Sequence, residues 1–460
     1  MTLCHARLFF AALLLLGTWA LPVSARAQGG RAQYEVANRI EIDRVPSGFP
    51  VRFYLLTLGD RQYAAYYNAD HQMVVADRPL GETSWRRTEL PTRIGWDSHN
   101  SVTMAADSEG RLHLAGNMHC VPLIYFRTRD PGDPTTFERQ PMVGRDEQRC
   151  TYPRFFRDND GSLLFMYRSG GSGNGHRLVN IHDAQADQWH RLLDMPLLEG
   201  EGERNAYPHG PVQGPDGRFH MIWVWRDTPD CATNHHLCYA RSDDFRTWES
   251  AGGQPLPLPI TLDEPATWVD PAPTGSGMIN GGQRLAFDSR QQPVIAYHRA
   301  DERGHMQIYV ARFDDGTWQS RLVTNWGKEV QFGGRGAMPF IGIRLGFRHL
   351  PPNRFVIDYR HRDYGAGQIV LDDETLQAVD EQIDIKPKLP RRLSRPTIDF
   401  PGMRVHLLHA DGDVAVEDGN RIHVLRWETL GPNHDRPRQP PLPPDSPLEL
   451  IELQPRGADG

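Results

Sequence analysis

Asp107-Ser108-Glu109-Gly110-Arg111-Leu112-His113 reads as a tight turn running into a β-strand, and it recurs along the chain. Asp158-Asn159-Asp160-Gly161-Ser162-Leu163-Leu164 has the same shape, and so does Gly214-Pro215-Asp216-Gly217-Arg218-Phe219-His220. A fainter copy is Asp288-Ser289-Arg290-Gln291-Gln292-Pro293-Val294. Each glycine supplies the positive φ that the turn needs. Gly110 and Gly161 are 51 residues apart, and Gly161 and Gly217 are 56 apart. A recurrence of this length, each unit a few strands around an Asp-Gly hairpin, is the mark of propeller blades.

Outside the turns, short alternating apolar runs are bounded by Gly, Pro, Asp and Asn, and long helical patterns are scarce. The expectation is an all-β chain: a seven-bladed β-propeller of four-stranded antiparallel blades. Ser242-Asp243-Asp244-Phe245-Arg246-Thr247-Trp248 resembles the Asp-box turn of sialidase-like propellers, and Asp314-Asp315-Gly316-Thr317-Trp318 is a partial second copy.

The N-terminus predicts export. Arg7 precedes an apolar run over residues 8–16, and Ser24-Ala25-Arg26-Ala27 offers the small residues that a signal peptidase reads. Residues 1–27 are therefore read as a signal peptide cleaved near Ala27, giving a secreted or periplasmic protein. Residues 28–430 are read as the propeller, and 431–460 as a Pro-rich C-terminal strap or tail. No later stretch is apolar enough to span a membrane. The net charge of −7 excludes a nucleic-acid surface, which needs clustered positive charge. Nearly all basic residues are Arg, with Lys only at 328, 386 and 388, so many side chains can grip carboxylates bidentately. Cys120, Cys150, Cys231 and Cys238 remain after cleavage and could form up to two disulfides in an oxidising compartment.

Propellers bind ligands at the axis, so the polar residues flanking each turn are the candidates for chemistry. His99 and His119 flank Gly110, and antiparallel pairing about that turn brings them together. Imidazoles exchange protons near neutral pH. Tyr152 and Arg168 flank Gly161 in the same way. Tyr207 and Arg226 flank Gly217. Asn100, Asn117 and Asn174 are further candidate substrate contacts. His209, Cys231, His235 and Cys238 offer zinc-type ligands, although a disulfide between Cys231 and Cys238 competes.

These stretches resemble a known family. Trp96 to Asn100, Asp107 to His113, Gly116 to Arg127, Thr151 to Phe156, Tyr167 to Gly175 and Asn234 to Ser242 are similar to the BNR-repeat seven-bladed propellers, which include the ulvan lyases of polysaccharide lyase families 24 and 25. The resemblance spans residues 50 to 345. It implies catalytic histidines at His99 and His119, a catalytic tyrosine at Tyr152, a carboxylate-binding arginine at Arg168, and a substrate-contacting tyrosine at Tyr207. Some members carry a structural zinc, with His235 and Cys238 as counterparts here; calcium is the other candidate ion.

The implied reaction is β-elimination on a uronate-containing polysaccharide of the rhamnose–glucuronate kind. A cation on the uronate carboxylate stabilises the carbanion, a base removes the C5 proton, and an acid protonates the leaving oxygen. His99 is the expected base, and Tyr152 or His119 the acid. No cofactor is required for the chemistry. The expected protein is a monomer acting on an acidic polysaccharide. The alternatives are a propeller glycoside hydrolase of rhamnosidase or sialidase type, and a non-catalytic carbohydrate-binding propeller.

Overall fold

In the computed structural model, residues 32–339, 342–412 and 421–456 are described. The expected signal peptide lies outside them. The described residues form seven antiparallel sheets, six of four strands and one enlarged to six. Blade 1 covers residues 54–93, blade 2 103–139, blade 3 150–191, blade 4 205–270, blade 5 284–322 and blade 6 343–379. Blade 7 closes the ring. Its strands Arg404–His409, Ile422–Thr429 and Ser446–Pro455 are completed by Tyr34–Val45 from the other end of the chain. Pairing the two chain ends in one sheet fixes the circle with ladder hydrogen bonds and leaves no open seam.

The recurring motif is the first hairpin of blades 2 to 5. Asp107 Oδ1 accepts the amides of Glu109 and Arg111, both at 2.9 Å, and Asp158 Oδ1 accepts those of Asp160 and Ser162. Gly110, Gly161 and Gly217 sit at φ 79°, 81° and 80°, where a Cβ is disfavoured. Both Asp-box fragments join the third and fourth strands of their blades. In the fuller copy Asp244 Oδ1 accepts the amides of Arg246 and Thr247, both at 2.8 Å.

The C-terminal expectation needs correction. Residues 431–445 do run as an irregular strap. Ser446–Pro455, however, is a strand inside blade 7, with Leu448, Leu450, Ile451 and Leu453 fully buried. Proline density drew attention away from this apolar run.

The apolar core is divided into layers between neighbouring blades. One layer joins blades 7, 1 and 2, and others join 2 to 3, 3 to 4, 4 to 5 and 5 to 6. Because apolar side chains are consumed between blades, the ends of the inner strands are free to carry polar groups.

Candidate active site

A cavity of about 450 Å³ is lined by His99, His119, Tyr152, Tyr207 and Arg226 from the segments of blades 2 to 4, and by Arg284, His298, Arg335 and Arg344 from those of blades 5 and 6. Among the described residues, no Asp or Glu lines it.

The hairpin geometry behaves as the sequence predicts. Thr103 pairs with Ala115, so His99 and His119 lie four residues beyond either end of the same register. Their rings stand 4.4 Å apart. The strand His119–Val121 also pairs onto the inner edge of blade 3, which ties it to Thr151. In blade 3, Thr151 pairs with Arg168, and a bulge follows it. Tyr152 occupies that bulge at φ 57°, and Cys120 and Asn117 are likewise left-handed at 57° and 58°. Such non-glycine conformations are strained, and the surrounding structure must hold them.

The imidazoles are held by carboxylates. Asp97 accepts from both, at 2.9 Å from His99 Nδ1 and 2.5 Å from His119 Nδ1. A second carboxylate, Asp435, lies 3.1 Å from His99 Nδ1. Asp435 comes from the strap, where it also accepts from Ser98 and from the amide of Ala337. Burial lowers the basicity of His99, but hydrogen bonds to Asp435 and Asp97 outweigh it and push the pKa up to about 9. Burial opposes ionisation of Asp97, yet the hydrogen bonds from His119 and His99 win and hold it well below the usual carboxylate range.

The phenols sit among guanidiniums. Tyr152 lies between Arg168 and Arg177, at 5.1 and 5.3 Å, and Arg226 stands 5.4 Å over Tyr207. Burial raises the Tyr152 pKa, helped by Tyr207, so it stays a protonated phenol. Tyr207 moves the other way: burial is outweighed by Arg168 and Arg226.

Arg168 differs from its expected place. It is fully buried and does not line the cavity. Its guanidinium donates to Thr151 Oγ1 at 3.0 Å, Cys120 Sγ at 3.2 Å and Tyr207 Oη at 3.4 Å. The bulge at Tyr152 covers it, so its charge acts through the phenols. Arg226 is the expected guanidinium that reaches the cavity.

The three asparagines do not line the cavity. Asn100 is buried, Asn117 donates to Thr92 and Arg93 of blade 1, and the exposed Asn174 caps the Gly171 amide. Asn117 and Asn174 are satisfied locally, whereas the buried Oδ1 of Asn100 has no hydrogen-bond partner among the described residues.

The expected His209, Cys231, His235 and Cys238 metal set does not converge. Close groups of three such ligands occur at other positions among the described residues. His209 is exposed, His235 is held between Asp227 and His236, and Cys231 lines the cavity. Cys238 packs with Trp223 and Trp225, where burial pushes its thiol up to about 12. The structure does not fit a His/Cys zinc here. All four cysteines are free thiols rather than disulfides.

Residues 61–326 match the model of the BNR repeat-containing family. The long isoform of an ulvan lyase from Alteromonas sp is 28% identical over 245 residues, which cover 47% of this chain and 24% of that protein. The chain therefore spans about a quarter of that relative's length. A solved polysaccharide lyase, Uly1, aligns at TM-score 0.56 and 14% identity over 91% of this chain and 99% of that one. An ulvan lyase of polysaccharide lyase family 25, bound to an oligosaccharide of GlcA and sulfated Rha, aligns at TM-score 0.54 and 13% identity over 86% and 94%.

Proposed function

The chain belongs to the BNR repeat-containing family, and from that premise and the cavity chemistry we propose that it is a polysaccharide lyase cleaving an acidic, uronate-containing glycan of the rhamnose–glucuronate kind by β-elimination. One observation carries the reading. Imidazoles, phenols and guanidiniums converge on a cavity that no carboxylate of the described residues lines. A glycosidase of the common retaining or inverting kind needs two carboxylates at the scissile bond. Elimination needs a base, an acid and a cation, and those are the groups present.

The roles follow from the charges. Arg226 meets the uronate carboxylate directly, while buried Arg168 and Arg177 supply positive potential behind Tyr152 and Tyr207. Neither has a carboxylate within hydrogen-bond reach among the described residues, so an anionic substrate compensates them. His99 takes the C5 proton. With a pKa of about 9 only about one molecule in a hundred holds it neutral at pH 7, but the base so formed is strong enough for a weak carbon acid. Tyr152, which keeps its proton, gives it to the leaving O4. Asp97 orients both imidazoles, and Asp435 positions His99.

The relatives' names support the substrate class, as does the oligosaccharide in the family 25 structure. Export with cleavage near Ala27 fits a polymeric substrate outside the cell. The test is a panel of uronate glycans, ulvan included, read by ultraviolet absorbance of unsaturated uronate. New absorbance is expected on at least one. New reducing ends without absorbance would establish hydrolysis instead, and neither signal on any glycan would leave only binding.

A further inference from the structure

A second Asp-His-His group lies away from the cavity, in the layer between blades 2 and 3. Asp107, His113 and His182 are all buried, and their donor atoms lie within 4.8 Å of one another. Asp107 spends Oδ1 on the turn amides, which leaves Oδ2 aimed at His113 Nε2, 3.2 Å away. The other nitrogen, His113 Nδ1, meets Tyr125 Oη at 2.7 Å, and Trp189 Nε1 donates to that same oxygen at 2.9 Å. A metal-bound imidazole is usually oriented by such a partner on its far nitrogen.

His182 is the group that needs explaining. Its side chain is 1% exposed, and neither ring nitrogen has a hydrogen-bond partner. Leaving a buried polar atom unpaired costs stability. Its ring stands 4.7 Å from that of His113.

Blade 4 provides an internal control. There His220 makes the same pair of contacts, Nδ1 to Tyr239 at 2.6 Å and Nε2 to Asp216 at 2.9 Å. The ring packed against it, again at 4.7 Å, belongs to Phe287. The Asp-His-Tyr unit is thus complete without a third polar partner: the ring against it is apolar and comes from the first strand of blade 5, whereas His182 reaches His113 from the third strand of blade 3.

We propose that Asp107, His113 and His182 bind a zinc ion that pins blade 2 to blade 3. Two imidazoles and a carboxylate suit zinc by ligand type. Tetrahedral zinc needs its donors about 3.3 Å apart, so His182 must close by up to about 1.5 Å on binding. Asp187 offers a carboxylate for the fourth position, with Oδ1 3.6 Å from His182 Nε2 and 2.8 Å from Arg127. Burial keeps both imidazoles neutral, with His182 down to about 4, so their lone pairs are available.

The experiment loads the full chain with zinc chloride, removes excess by gel filtration, and measures bound zinc by mass spectrometry and unfolding temperature by calorimetry. Wild type should keep one zinc per chain and melt higher with it. His182→Phe, which replaces the imidazole with an apolar ring, should keep none and show no zinc-dependent rise, whereas His99→Ala should keep it. X-ray absorption at the zinc edge of wild type should show nitrogen and oxygen only, a readout that stands even if His182→Phe fails to fold. Wild type without stoichiometric zinc, a full complement in His182→Phe, loss in His99→Ala, or sulfur in the metal shell would each overturn the assignment.

Discussion

Segments of blade 2 carry one Asp-His pair at the propeller axis and another between blades, and the two behave oppositely. Asp97 and Asp435 both reach His99, whose pKa rises to about 9. At His113 burial, with Arg127 nearby, prevails over the hydrogen bond to Asp107 and the more distant charge of Asp187, so the pKa falls. In both places burial favours the neutral imidazole; at His99 two directly hydrogen-bonded carboxylates reverse the outcome. Residue type alone therefore does not set the protonation state. The axial group can move protons for a substrate, and the interior group can hold the fold.

The comparison breaks most sharply on His99→Ala. We expect kcat to fall by about 10²- to 10⁴-fold, with the unfolding temperature nearly unchanged. An equal loss in folded His113→Ala protein would show that the two groups are not functionally distinct. For His113→Ala the expected loss is in stability, about 1–3 kcal/mol by denaturant unfolding, since Tyr125 and Asp107 lose their partner. Asp435→Asn removes the second carboxylate and should move the acid limb of the pH–rate profile about one pH unit lower. A limb fixed near 9 in that variant would show that Asp435 does not set the basicity of His99.

The smallest effect is on stability against pH. The raised His99 pKa contributes stabilisation that is fully present below about pH 6.5 and is lost as pH rises through about 9. The depressed Asp97 contributes stability above the usual carboxylate range that fades only in strong acid. Wild type should therefore lose unfolding temperature between about pH 6.5 and 9, and Asp435→Asn should lose less. Identical curves would remove the strap from the account.

Much of the site was legible because hairpin register is local. Residues equidistant from an Asp-Gly turn face each other, which is why His99 meets His119; in the next blade the bulge shifts the pairing, so Thr151 faces Arg168 and Tyr152 meets it ring over guanidinium. The same logic could not tell which of them reaches solvent. Arg168 went under the bulge, and Asn117 and Asn174 turned to nearby backbone. Arg177 was passed over because it lies on the third strand of its blade, beyond the hairpin. The Leu448 to Leu453 run did carry an apolar signal, and the prolines before it obscured it.

From the sequence alone came the repeat, the all-β architecture, and the polar residues bracketing each turn, since all of these depend on neighbours within one blade. Closure of the ring decided the rest. Asp435 is 337 residues from Ser98, which it also binds, and His182 meets His113 only where two blades pack. Such contacts depend on how the blades wrap around the axis, and no local pattern encodes them. The same wrapping sets how deeply each charge is buried and which opposite charge stands beside it, and so fixes which imidazole is a cation and which is neutral.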